Sequence, residues 1–236
     1  MIYITGDMHG DYKCFEQRGI KRKLKQGDIL IVCGDFGFIW DGSEEENKRL
    51  DKIGDFAFDI LFIDGKHENF DLLKNFEEVF LHFGRARYIR KNLFHLIRGE
   101  VYKIENENFF VFGGGESRDR DVRLELGRWW KEEMPTFEEI SNAAQRLNEI
   151  HRKVDYVITH EPPSYIKNAA NKNIIETNFL NTFFDSISKE VEFKKWFFGS
   201  LHLDKKITNR HIGVFDSVIP IPQTLPQRGF FKRRQR

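Results

Sequence analysis

The sequence predicts an α/β fold, and three observations lead to this prediction. Strand-like and helix-like segments alternate through the first third of the chain, and residues 28–33 form an almost continuously apolar run. Acidic or imidazole side chains directly follow the strand-like runs. A continuous apolar run is typical of a strand covered on both faces, and α/β proteins collect their functional groups in the loops that leave the strands.

The first third is predicted to contain three strands and three helices. The strands are expected at residues 2–5, 28–33 and 59–63, and the helices over residues 11–25, after Ser43, and over residues 71–83. Ser43 can cap a helix whose first turn contains three glutamates, and acidic side chains are favoured at the positive end of the helix dipole. The predicted order is therefore β-α-β-α-β-α.

The remainder of the chain has a different pattern. Short strands at residues 93–97, 101–104 and 109–112 are predicted to form an antiparallel meander. Thr136 and Glu139 match a capping box at the start of a helix over residues 136–152. A strand at residues 154–158, a helix over 174–192, a strand at 195–198 and a hairpin over 206–219 complete the prediction.

Composition restricts the class of protein. The chain has 236 residues with 38 Lys and Arg against 37 Asp and Glu, so no overall charge favours nucleic acid or a membrane surface. It has two cysteines, Cys14 and Cys33, and a buried thiol at Cys33 would suit a reducing compartment. No apolar run approaches the roughly 18 residues of a membrane span, and the chain begins directly with a strand-like run. We therefore expect a soluble cytoplasmic protein with no membrane partner.

A single domain over residues 1–222 is expected, followed by a basic tail at residues 223–236. The tail is interpreted as a solvated chain end, with contact to nucleic acid or a partner as the alternative.

Acidic or imidazole side chains directly follow five of the predicted strands. Asp7 and His9 follow the first strand, Asp35 the second and His67 the third, while His160 and His202 follow two later strands. Any one of these residues could be a turn or helix cap. Such residues in five separate loops are better explained by a metal site, and oxygen and nitrogen ligands without cysteine suit hard to borderline divalent ions.

These strings together resemble the metallophosphoesterase, or calcineurin-like, superfamily. They are Asp7-Met8-His9, Gly34-Asp35, Gly65-Lys66-His67-Glu68, Thr159-His160 and Gly199-Ser200-Leu201-His202. The segments at residues 112–117 and 129–135 are similar to those of small bacterial or prophage-borne members. The resemblance implies a four-layer sandwich of two mixed β-sheets flanked by helices. It also implies a metal-dependent hydrolase of phosphate mono- or diesters, acting on a phosphorylated substrate.

The resemblance implies a role for each residue of the site. Asp7, His9, Asp35 and His202 would hold a first divalent ion, and Asp35 would bridge to a second ion held by His160. Water activated by the metal would attack phosphorus while His67 assists as a transition-state donor or general acid. One or two ions per chain are expected, with Mn²⁺ favoured over Fe²⁺/Fe³⁺, Mg²⁺ and Zn²⁺. Glu68 is expected either to orient His67 or to favour a following helix through the dipole.

Two positions depart from the superfamily pattern. Lys66 stands where the pattern has Asn, and Ser200 stands where it has His. A protonated lysine has no lone pair for a cation, and a serine hydroxyl is a poor replacement for imidazole. Three outcomes are open: Lys66 replaces the second cation in catalysis, the site binds phosphorylated ligands with little turnover, or Lys66 points away and water fills the second site.

Other candidates are phosphate contacts. Arg118, together with Ser200, is a possible phosphate contact, and Gly113-Gly114-Gly115 is interpreted either as a phosphate-binding loop or as a plain turn. The rival functions are a non-catalytic phospho-ligand or protein-binding module and a nuclease. The near-neutral charge argues against a nuclease, whereas the basic tail and the cation-rich segment at residues 85–98 argue for it.

Overall fold

The computed structural model describes residues 1–170 and 177–222, which form strands and helices in an α/β arrangement. The strands are β1 Ile2–Thr5, β2 Ile29–Val32, β3 Asp59–Phe62, β4 Glu78–Leu81, β5 Gly84–Arg90, β6 Leu93–Leu96, β7 Val101–Ile104, β8 Glu107–Phe112, β9 Tyr156–Thr159, β10 Lys195–Phe198, β11 Lys205–Lys206, β12 His211–Gly213 and β13 Ile219–Ile221. The helices are α1 Cys14–Gln17, α2 Ile20–Lys23, α3 Glu44–Gly54, α4 Phe70–Leu73, α5 Arg120–Glu125, α6 Phe137–Glu149, α7 Ser164–Ala170 and α8 Phe179–Glu190, with a short 3₁₀ turn at Lys131–Glu133.

The described strands form two mixed sheets. The first sheet has the order β13-β1-β2-β3-β6-β5-β4, in which β1, β2, β3 and β6 are parallel and the outer strands are antiparallel to their neighbours. The second has the order β11-β12-β10-β9-β8-β7, with four parallel strands between antiparallel edges. The prediction of two mixed sheets flanked by helices is confirmed.

Alternating side chains build separate hydrophobic layers on the two faces of each sheet. On β2, Ile31 packs between the sheets, whereas Leu30 points to the opposite side and packs with Phe15 and Leu50 of the helices. This is the two-residue periodicity of a strand whose faces are both covered. The second sheet packs against α6, α7 and α8 in the same way.

Several predicted elements agree with the structure, among them the two capped helices. The Ser43 hydroxyl accepts a hydrogen bond from the Glu46 N–H at the start of α3. Thr136 and Glu139 form the predicted capping box at the start of α6.

Two predicted helices were wrong in extent or type. Residues 11–25 form two four-residue helices, separated at Gly19, whose φ of 68° is a left-handed conformation. Residues 71–83 contain the end of the short helix α4 and then strand β4, which pairs with β5. The alternating exposure along β4 fits an edge strand, and the helical interpretation overlooked it.

The predicted meander and hairpin were also wrong in topology. β6 pairs with β3 and β5 in the first sheet, whereas β7 and β8 pair in the second, so the chain changes sheets after β6. β11 and β12 form a short hairpin, but β13 pairs with β1 in the first sheet. Local sequence patterns predicted these strands without specifying which sheet would receive them.

None of the helices in the described ranges is long and apolar enough to cross a bilayer. Residues 223–236, the predicted basic tail, lie outside the described residues. The predicted domain boundary at residue 222 therefore stays a prediction.

Candidate metal centre

The candidate metal centre lies beyond the carboxyl ends of parallel strands from both sheets. Asp7 follows β1, Asp35 follows β2, His160 follows β9 and His202 follows β10. Glycine lets the loops approach closely: a Cβ atom on Gly199 would lie only 2.1 Å from Asp7 Oδ1. The glycine therefore lets a loop of the second sheet contact a carboxylate of the first.

Four of the predicted ligands come together. Asp7, His9, Asp35 and His202 each offer a ligand atom, and these atoms lie within 4.8 Å of one another. The His202 Nε2 atom is 2.9 Å from Asp7 Oδ2 and 3.2 Å from His9 Nε2. Two carboxylates and two imidazoles form a donor set that suits a divalent ion of borderline or hard character.

Backbone geometry fixes these side chains. His9, Asp35 and His202 all have φ between 44° and 49°, in the left-handed region that non-glycine residues seldom adopt. The N–H groups of Met8 and His9 donate to the Asp35 carbonyl at 2.9 and 2.8 Å, which joins the loops after β1 and β2. Strained backbone of this kind is typical of sites where position matters more than local stability.

Asp35 is at the centre of the hydrogen bonds. Its Oδ1 accepts from the N–H groups of Lys66 at 2.6 Å and His67 at 2.9 Å, and its Oδ2 lies 2.7 Å from His67 Nδ1. Burial alone would raise the pKa of Asp35, but the His160 ring, the His67 hydrogen bond and the charge of Lys66 hold the pKa well below its usual range. Asp35 is therefore an ionised carboxylate in the folded protein.

The pKa values of the two exposed imidazoles of the group, His9 and His202, are shifted in opposite directions. Burial lowers the pKa of His9 despite the nearby carboxylates of Asp35 and Asp7. The nearby Asp7 carboxylate raises the pKa of His202, and burial opposes this effect.

His160 lies beside the four-residue group. Its ring is fully buried, with Nδ1 3.1 Å from the Cys33 carbonyl and Nε2 3.5 Å from Asp35 Oδ1. A proton on Nδ1 is donated to that carbonyl, which leaves the lone pair of Nε2 available.

Buried atoms without hydrogen-bonding partners provide a test of whether a cation fits here. Both carboxylate oxygens of Asp7, Nε2 of His160 and Oγ of Ser200 are buried and lack a hydrogen bond. Burying a charged oxygen without a partner is costly, and a bound cation removes that cost. The residues therefore fit a divalent ion at the Asp7 carboxylate.

The remaining predicted residues line a cleft of about 860 Å³ beside this group. Lys66, Ser200 and Arg118 all contribute to its walls. The Lys66 ammonium lies 3.9 Å from Glu161 Oε1, and Glu161 is in turn 3.0 Å from Lys167 Nζ. The burial of Glu161 would raise its pKa, but the charges of Lys167, Lys66 and His160 lower it, so this carboxylate is ionised between two lysines.

A second cleft, of about 370 Å³, lies on the His67 side of the site. His9 and His67 form part of its wall, together with Phe38, Trp40 and Arg49. The site therefore has a cleft on each side, one with lysine and arginine and one with aromatic residues.

The structure excludes one of the two roles expected for Glu68. Glu68 does not contact His67: its carboxylate accepts from the Phe36 and Gly37 N–H groups, and burial raises its pKa well above the usual value. Glu68 therefore supports the loop after β2.

The glycine run at residues 113–115 is a structural turn. The Gly114 N–H donates to the Asp64 carbonyl and the Gly115 N–H to the Glu133 carbonyl, so neither amide is available to a phosphate.

Sequence reasoning missed two supporting arginines. Arg18 is buried and donates to the carbonyls of Gly6 and Asp7, and Arg123 is buried and donates to the Lys66 carbonyl at 2.8 Å. The alternation of charges around both arginines resembles an ordinary solvent-exposed face, so the sequence held no local signal for their burial.

The family model described as calcineurin-like phosphoesterase matches residues 1–208 of the chain. No curated protein matches it.

Proposed function

Because the chain belongs to the calcineurin-like phosphoesterase family, whose members are metal-dependent hydrolases of phosphate esters, we propose a specific site and reaction for it. Asp7, His9, Asp35 and His202 bind a divalent ion, for which we favour Mn²⁺, and His67 assists hydrolysis of a phosphate mono- or diester. The observation that supports this proposal is the grouping of four ligand atoms within 4.8 Å around a buried Asp7 carboxylate that lacks hydrogen bonds.

The ion would supply a Lewis acid for the phosphoryl oxygens and would lower the pKa of a water molecule. The residues of the chain orient the groups around it. Asp35 accepts the Nδ1 proton of His67, which fixes the ring and its tautomer. His67 then donates its other ring proton to the leaving oxygen as the bond to phosphorus breaks.

The positions of the clefts suggest how a substrate lies. His67 lines the aromatic cleft, so we propose that the leaving group occupies this side, against Trp40 and Phe38. The phosphoryl group would then face Lys66 and Arg118 in the larger cleft. A lysine ammonium and an arginine guanidinium both suit a phosphate.

A nuclease is not favoured by the cation-rich segment at residues 85–98. Arg85 pairs with Glu100, Arg87 with Glu78, and Arg90 with Asp51. Arg98 is buried against Asp64. Phosphate backbones bind to unneutralised positive charge, and much of the charge on this segment is already paired.

The experiment compares hydrolysis of p-nitrophenyl phosphate and bis-p-nitrophenyl phosphate by chelated protein before and after addition of Mn²⁺, Mg²⁺ or Zn²⁺. We expect turnover that requires added metal, and its loss together with metal binding in Asp7→Asn. Asp55→Asn, at an exposed position after α3, is the matched control and should behave as the unchanged protein.

Absence of turnover with either ester and every ion would contradict the proposed hydrolysis. Phosphate binding without turnover would instead support the rival function, a phospho-ligand binding module.

A further inference from the structure

The family pattern provides for a second cation, and this chain has changed two of the positions that would hold it. Lys66 and Ser200 replace an amide and an imidazole. Among the described residues, one group of carboxylate and imidazole ligands is close enough to share an ion, and it consists of Asp7, His9, Asp35 and His202. His160 is not part of that group.

The carboxylate oxygen that would bridge to a second ion already accepts two hydrogen bonds. Asp35 Oδ1, which is the carboxylate oxygen nearer to His160 Nε2, accepts hydrogen bonds from the N–H groups of Lys66 and His67. A carboxylate oxygen has two lone pairs, and two N–H donors occupy both. Ser200 Oγ and His160 Nε2 are thus the donors left for a second cation, which is a small set for an ion that prefers six ligands.

Lys66 is held in this region by three contacts with different parts of the chain. Its N–H donates to Asp35, its carbonyl accepts from Arg123 at 2.8 Å, and its ammonium lies 3.9 Å from Glu161 Oε1. Glu161 directly follows His160 in the chain, so the Glu161 carboxylate draws the ammonium toward the His160 side of the site. The side chain of Lys66 is 20% exposed and lines the larger cleft with Ser200.

The Glu161 carboxylate does not fully neutralise the charge of Lys66, because it also pairs with the Lys167 ammonium. Glu161 is buried, and its other oxygen lies 3.0 Å from Lys167 Nζ. The group of Lys66, Glu161 and Lys167 therefore carries a net positive charge next to the metal ligands. A lysine ammonium repels a divalent ion and attracts a phosphoryl group.

We propose that the site binds one divalent ion and that the Lys66 ammonium provides the second positive charge, which contacts the phosphoryl group of the substrate. This inference rests on the proposed phosphoesterase function and specifies its substrate contacts. Arg123 is a positioning residue in this arrangement, because its buried guanidinium donates to the Lys66 carbonyl and is itself held by Ser117 and Glu133.

The first test is the number of Mn²⁺ ions bound per chain, measured on the unchanged protein by titration calorimetry and by elemental analysis after desalting. One ion per chain is expected. Two ions would overturn the inference and leave the proposed function intact. No bound ion would overturn the proposed function and the inference together.

The second test is the affinity of the Mn²⁺-loaded protein for inorganic phosphate, measured by calorimetry. Lys66→Met removes the charge at similar length, and we expect phosphate binding to weaken by about tenfold or more while the Mn²⁺ stoichiometry stays at one. Lys103→Met, at an exposed position of β7, makes the same change in net charge and should leave the affinity unchanged. Equal phosphate affinity in Lys66→Met and the unchanged protein would overturn the inference.

A restoring variant adds an independent result. Lys66→Asn combined with Ser200→His recreates the family ligands, and we expect a second Mn²⁺ to bind. A folded double variant that still binds one ion would contradict the proposal that Lys66 and Ser200 prevent binding of a second ion. If the double variant does not fold, the first two tests decide the inference.

Discussion

His67 and Asp35 are joined by a short contact, with 2.7 Å between the ring atom Nδ1 and the carboxylate atom Oδ2. Asp35 is fully buried and ionised, whereas the His67 side chain is 38% exposed and lines the aromatic cleft. The carboxylate therefore fixes one nitrogen of the ring and leaves the other side of the ring to a ligand. This arrangement suits a proton donor and gives His67 no lone pair at Nδ1 for a metal.

His67→Ala should lower the turnover number by about 10²- to 10⁴-fold, which is the usual contribution of a general acid. The loss should be larger for phenyl phosphate than for p-nitrophenyl phosphate, because a poorer leaving group depends more on protonation. Steady-state kinetics on both esters measures the difference. The Mn²⁺ stoichiometry should not change, and a loss of bound metal would contradict the role assigned to His67.

Asp35→Asn should abolish hydrolysis and weaken Mn²⁺ binding by more than the roughly 10- to 100-fold typical of losing a group that only supports a ligand. The variant removes a negative charge from the ligand group and changes the acceptor for His67. Calorimetric titration with Mn²⁺ measures the affinity.

Glu68→Gln is the comparison for Asp35→Asn. Glu68 is also buried, and it accepts N–H groups of the same loop without contacting the ligand group's side chains. Its effect on Mn²⁺ affinity should be much smaller, since the amide oxygen of glutamine can still accept the shorter of the two hydrogen bonds, from the Phe36 N–H. Equal losses in the two variants would show that Asp35 acts through the loop and not as a ligand.

Much of the site could be predicted because its residues follow strands directly. Asp7 and Asp35 are adjacent to apolar runs, and parallel strands bring their carboxyl ends to one edge. Lys66 and Ser200 were recognised as departures from a family pattern.

The supporting contacts could not be predicted in the same way. Arg123 is 57 residues from Lys66 in the chain, and Glu161 reaches Lys66 from the other sheet. Neither contact corresponds to a periodic or local pattern in the sequence. The sheet membership of β6 and β13 likewise depends on which strands are already paired, and strand propensity does not contain this information.

Arg98→Met should lower the free energy of unfolding by about 3–5 kcal/mol, the usual cost of breaking a buried ion pair. Arg98 Nη2 lies 2.6 Å from Asp64 Oδ2, and both side chains are buried. Asp64 directly precedes the Gly65-Lys66 loop. Without the guanidinium, His95 is the one side chain among the described residues that still hydrogen-bonds to the Asp64 carboxylate. Urea unfolding measures the change.

Arg49→Met is the control for Arg98→Met. Arg49 pairs with Glu45 on the surface of α3, and exposed pairs four residues apart contribute about 0.3–0.5 kcal/mol. Similar losses in the two variants would contradict the importance of the Asp64–Arg98 pair.

His211 should make the stability of the protein depend on pH between about 6.5 and about 4. Burial, followed by the charge of Arg210, lowers the pKa of His211 to about 4. Its ring lies 2.9 Å from the Thr208 hydroxyl and 3.2 Å from the Tyr165 hydroxyl, and it packs against Trp196. These neighbours are uncharged, so the fold favours the neutral ring.

The direction of the effect follows from proton binding. Below about pH 6.5 the unfolded chain binds a proton at this ring, whereas the folded protein does not until about pH 4, so the free energy of unfolding falls as the pH decreases through that range. His211→Gln removes this proton uptake, and its urea midpoint should fall less between about pH 7 and about pH 4.5 than that of the unchanged protein. His151→Gln, at an exposed position, should retain the full dependence. The same pH dependence in His211→Gln and His151→Gln would show that the buried ring does not govern acid stability in this range.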